Sequence, residues 1–181
     1  RANQQYVLFE SERDKGTNVT GMYSYLLDSY ENFMKVVEAP DNGQYLSGAK
    51  NRLRAMYPYL LNGAVYYSEQ KQPSKALDFA AAYIEMPRLK IFQSELLPKD
   101  NRYASVVYYA AVSAYNLQKY SQALKYFQEY LSTGTDTQQK DCYVYMNMIY
   151  QSQKNYSEQE RVLEEAIAKY PVSLDFLYNL V

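Results

Sequence analysis

Histidine is absent from the 181 residues. Its absence removes the usual general base near neutral pH and the commonest metal ligand. Cysteine occurs once, at Cys142, which excludes an intrachain disulfide and a thiolate cluster. Cys142 reads as a small buried apolar residue on a helix. Charge of either sign is not in excess: the net charge is −1, with Lys and Arg spread along the chain. A nucleic-acid groove needs clustered positive charge to displace counterions, so no nucleic-acid partner is expected. No apolar run approaches the length of a membrane span. Phosphate-loop, nucleophile-elbow and metal-ligand spacings are missing too. The chain is therefore expected not to be an enzyme and to carry no cofactor or metal.

Tyrosine stands at the other extreme, with 23 copies against six phenylalanines and no tryptophan. A tyrosine buries its ring and keeps its hydroxyl at a wet edge, which suits a thin, two-layered fold. Apolar spacings of three and four residues mark helices throughout, and sustained strand-like alternation is missing. Helices are expected over 3–15, ending near Gly16, and over 19–38, ending in the turn residues Pro40-Asp41-Asn42-Gly43. A further helical stretch carries Leu46, Ala49, Leu53 and Met56 and is expected to kink or restart at Pro58. Helices over 59–70 and 76–85 follow, with Pro73 suited to a first turn and Ser74 to an N-cap. After an irregular segment, 88–102, come helices over 103–118, 121–132, 139–153 and 157–169. Leu124, Phe127 and Leu131 are expected inward on the second of these, and Gly134 to Thr137 to break it. Ser157 and Glu160 have the spacing of a capping box. Glu158, Glu160, Glu164 and Glu165 beside Arg161 and Lys169 read as a solvated charged face. Asn18-Val19-Thr20 and Asn155-Tyr156-Ser157 match the glycosylation triplet, which is common by chance.

One pattern returns after 36 residues. Tyr120-Ser121-Gln122-Ala123 with Phe127 is followed by Tyr156-Ser157-Glu158-Gln159 with Leu163, Ala166 and Pro171. Ser74-Lys75-Ala76 with Ala80 is an earlier echo. A period of this length marks stacked helix pairs, which cannot bury their apolar faces singly and so line up.

These residues resemble the tetratricopeptide repeat. In the 104–137 copy, Ala111 stands at the small position of the first helix, Tyr120 at the turn aromatic, Ala123 at the small position of the second helix and Phe127 at the aromatic after it. In the 140–173 copy, Tyr150, Tyr156, Leu163, Ala166 and Pro171 match, while Gln159 departs from the small residue. In the 57–88 copy, Ala64, Tyr67, Ala76 and Ala80 match loosely and Pro73 replaces the turn aromatic. The resemblance implies an all-α fold, a right-handed α-solenoid of antiparallel helix pairs. It divides the chain into a divergent helical region, 1–56, and repeats over 57–181, with 88–102 an inserted loop and 174–181 the start of a truncated unit. Arg at position 1 and the helix-like residues 176–181 read as the ends of a piece of a longer, bacterial protein, either exported to the periplasm or cytoplasmic.

The family's first helices line a concave wall. That places Leu61, Val65, Ser68 and Glu69 on it in one pair, Tyr108, Val112, Tyr115 and Asn116 in the next, and Val144, Met148, Gln151 and Ser152 in the last. The resemblance implies a scaffold that binds a protein or peptide there through apolar and hydrogen-bonding contacts. A glycan-binding module of an exported protein is the alternative. Tyr108 and Tyr115 have a second reading, as packing against the neighbouring pair. Phe92, Leu96 and Leu97 are expected to cover a bare helix end, or else to form a lid.

Overall fold

In a computed structural model, which describes residues 1–40, 43–94, 97, 101–133 and 138–171, the described residues are all-α. Among the described residues eight helices form: α1 (Ala2–Lys15), α2 (Val19–Glu38), α3 (Gly43–Glu69), α4 (Pro73–Glu85), α5 (Tyr103–Asn116), α6 (Tyr120–Ser132), α7 (Gln139–Ser152) and α8 (Tyr156–Lys169). Two short 3-10 turns, Met86–Arg88 and Lys90–Phe92, follow α4. The chain divides into two compact units, Arg1–Asp100 and Asn101–Val181.

In the first unit each helix packs on the next. The start of α1 meets the second half of α2, where the buried Ser29 hydroxyl donates to the Ala2 carbonyl. The start of α2 meets the end of α3, where Thr20 and Tyr66 share a hydroxyl–hydroxyl bond of 2.7 Å. The middle of α3 meets late α4, where Tyr57 stacks on Tyr83 at 4.7 Å, and the end of α3 meets the middle of α4, where Tyr67 stacks on Phe79 at 5.4 Å. These pairings make α1–α2 and α3–α4 antiparallel hairpins. Phe9 against Tyr59, and Arg52 over the Tyr6 ring, set α1 alongside α3 in the same direction. Such ring pairs contribute about 0.5–1.5 kcal/mol each beyond their burial. At Gly63 an added Cβ would meet the Phe79 ring at 2.5 Å, so the close crossing of α3 and α4 requires glycine there.

The boundary expected at 56/57 lies inside α3, which does not restart at Pro58. Buried Leu53, Met56 and Tyr57 before the proline, and Leu60, Leu61, Ala64 and Tyr67 after it, hold the helix through the missing N–H. Phe92 and Leu97 are buried, and the second 3-10 turn lies on α3. Both side chains are thus packed within the first unit; Leu96 is outside the described residues.

In the second unit α5–α6 and α7–α8 are again antiparallel hairpins. Tyr103 donates to Glu129 and Tyr115 faces Tyr120, from opposite ends of α5 and α6. Lys169 donates to Gln139, and Gln159 to Asn147, along α7 and α8. Ala111, Ala114 and Ala123 are fully buried, where small residues let two helices approach. The inward face of α6 differs from expectation: Tyr126, Phe127 and Tyr130 are buried, and Leu124 and Leu131 only half so. Aromatic side chains, longer than leucine, reach the core from that side.

Three hairpins share one turn. Lys71, Gln118 and Lys154 each have φ between 55° and 57°, the left-handed region. The next residue's N–H donates back to the last helical turn, as Gln72 to Tyr67, Lys119 to Ala114 and Asn155 to Tyr150, each at 2.9 Å. This six-to-one bond closes the helix and satisfies a carbonyl that would otherwise be orphaned. Gln118 and Lys154 are separated by the same 36 residues that separate Tyr120 from Tyr156, so the sequence period repeats in the backbone. The capping residues differ from expectation. Asn155, not Ser157, caps α8, its side chain accepting from Glu158 N. Ser74 lies inside α4, which starts at Pro73 after Gln72. Asn18 caps α2, accepting from Gly21 N at 2.9 Å. The asparagines of both glycosylation-like triplets are therefore helix caps.

Candidate functional site

The expected face residues of the second unit come together on α5 and α7. Two side-chain contacts hold these helices edge to edge and parallel. The Tyr108 hydroxyl donates to Asp141 Oδ2 at 3.4 Å, and the Tyr115 ring meets Tyr145 at 4.9 Å. Tyr145 in turn stacks on Phe127 of α6 at 5.2 Å and 9°. Tyr108 also lies 5.4 Å from Tyr130. Both tyrosines are half-buried, so each packs against its neighbouring pair while keeping an accessible edge. Burial, and next the Asp141 carboxylate, raise the Tyr108 phenol above its ordinary value of 10.0. That hydroxyl therefore stays protonated and a donor across the physiological range.

Above this seam lies an open strip. Tyr109, Val112 and Asn116 recur at spacings of three and four on α5; Val144, Met148 and Gln151 do so on α7. Tyr109 is 68% exposed and Met148 44%, while Asn116, Gln151 and Ser152 are exposed polar neighbours and Val112 and Val144 are half-buried. Asp141 is the charged group at its edge. The expectation named Tyr108 and passed over Tyr109. The signal was present, because Ser105, Tyr109, Val112 and Asn116 form a regular helical stripe, and residues 100° apart on a helix face different neighbours.

In the first unit Val65, Ser68 and Glu69 are exposed, but Leu61 is 3% exposed and belongs to the core. The reason is coverage: α3 is packed by α2, α4 and the second 3-10 turn, and touches α1 through Tyr59. These neighbours cover the face that carries Leu61.

Among the described residues no three His, Cys, Asp or Glu side chains cluster as a metal site, and no helix is long and apolar enough to cross a membrane. Cys142 is fully buried, and burial pushes its thiol from 9.0 up to about 12. A thiol held protonated in this way is a poor nucleophile. On α8, Arg161 bonds Glu158 and Glu165 at the surface, the solvated charge face that the spacing implies. Comparison with known proteins finds no matching family model and no matching curated protein.

Proposed function

We propose that the chain is a tetratricopeptide-like stack of helix pairs, wound as a right-handed solenoid, which binds a protein segment along the α5–α7 strip. The observation that carries this reading is the exposed pair Tyr109 and Met148 on two parallel helices joined edge to edge. Leaving such side chains in water forgoes about 1.5–3 kcal/mol each relative to full burial. A partner that covered them would recover part of it, and exposed aromatic anchors ringed by polar groups are a common form of hot spot. The occupant that fits is an extended peptide with apolar side chains. Asn116, Gln151 and Ser152 offer it hydrogen bonds, and Asp141 supplies the strip's negative edge.

The test is to pan a random-peptide library on the full chain and measure selected peptides against a Tyr109→Glu/Met148→Glu variant. Both positions point to solvent, so the variant is expected to keep its helical circular dichroism. Selected peptides are expected to carry apolar anchors and to bind the variant about tenfold more weakly or worse. A glycan array run in parallel covers the carbohydrate alternative. Glycan binding lost in the same variant, with no peptide selected, would replace the peptide reading.

A further inference from the structure

The first unit holds a cleft of ≈ 560 Å³ between the start of α1, the second half of α2 and the first half of α3. This is within the size range of small-molecule sites. Its charge is one-sided. Arg1, Lys35 and Arg52 line it, and no Asp or Glu stands among its described lining residues. Lys35 has no carboxylate partner among the described residues. Arg52 is held in place over the Tyr6 ring at 4.3 Å, with Glu10 at 3.8 Å as a loose counter-charge.

Half of its described lining residues are polar or charged, and Phe33 and Tyr45 are the aromatic ones among them. Phe33 is buried beneath it, and Tyr45 stands 62% exposed at its edge. One turn beyond Tyr45, Gly48 leaves the wall open: a Cβ added there would meet nothing within 4 Å. A glycine inside a helix costs stability, and packing does not demand one here as it does at Gly63. An open wall, an exposed ring and a surplus of positive charge converge on one space.

We propose that this cleft binds a small organic anion with a ring-shaped body, the ring lying between Tyr45 and Phe33 and the anionic group meeting Lys35 and Arg52. The cations select by charge, and the rings contribute stacking and apolar contact. Gly48 keeps the space for the ring.

The test is a fluorescence titration of the full chain with 8-anilinonaphthalene-1-sulfonate and with its uncharged relative N-phenyl-1-naphthylamine. The sulfonate is expected to bind at one site, about fivefold tighter than the neutral amine or better, in a salt-sensitive way. Lys35→Glu is expected to weaken the sulfonate about fivefold and leave the amine unchanged. Gly48→Trp, whose side chain enters open space, is expected to abolish both while helicity is kept. Tyr109→Glu, on the α5–α7 strip, is expected to leave both unchanged, so that the cleft and the strip are judged separately. Equal affinity for the two probes, binding that survives Gly48→Trp, binding lost in Tyr109→Glu, or no binding at all would each overturn the proposal.

Discussion

At the residue scale, the most instructive pair is Asn147 and Gln159. They occupy in α7 and α8 the places that Ala111 and Ala123 hold in α5 and α6, and both are buried. The sequence showed only that Gln159 departs from the small residue. The fold answers with a side-chain bond, Gln159 Nε2 to Asn147 Oδ1 at 2.9 Å. Removing one partner leaves a buried amide unsatisfied, at a cost of about 1–3 kcal/mol, whereas removing both does not. Gln159→Ala is therefore expected to lower the urea midpoint more than the double change Asn147→Ala/Gln159→Ala does per residue replaced. A double-mutant cycle with no coupling between the two positions would refute the pair's importance. Leu61 and Tyr109 teach the complementary lesson. Spacing along a helix marks a stripe, but which neighbouring residue sits at its centre depends on the elements packed against it, which the sequence does not display.

At the element scale, helix spans were legible because apolar spacing and turn residues agree with each other. Gly16 ends α1 in the left-handed region, as a glycine there should. The other hairpin turns were less legible, because they place Lys71, Gln118 and Lys154 in that region, where glycine is the ordinary choice. Caps were misassigned for a related reason: serine and asparagine compete for the role, and the turn geometry chose Asn155 over Ser157. Relieving the strained residues has a measurable consequence. Gln118→Gly and Lys154→Gly are each expected to stabilise the second unit by about 0.5–1 kcal/mol, with nearly additive effects because the turns are separate. An unchanged or lowered denaturation midpoint in both variants would contradict the turn assignment.

At the scale of the whole molecule, the tyrosine excess is a packing resource. Burial raises the phenols of Tyr6, Tyr23, Tyr67, Tyr108, Tyr143 and Tyr150 above 10.0. In the unfolded chain these groups ionise near pH 10, and in the folded chain only at higher pH. Their contribution to stability is therefore complete below pH 10 and is lost as pH rises through the folded values. Cys142, raised from 9.0 to about 12, acts with the same sign. The urea midpoint is expected to fall as pH climbs past 10, with part of the phenolate absorbance appearing only as the chain unfolds. A flat midpoint, with all tyrosines titrating together, would count against a core built on these rings. Repetition of the fold was legible from the 36-residue period, since stacked pairs must place small and aromatic residues at matched positions. The proposed binding role rests on what that stacking leaves uncovered, the α5–α7 strip. The most direct measurement is calorimetric affinity of a library-selected peptide for the chain and for its Tyr109→Glu/Met148→Glu variant. The account predicts a loss of about tenfold or more with helicity and melting unchanged. Equal affinity in the two proteins would contradict it.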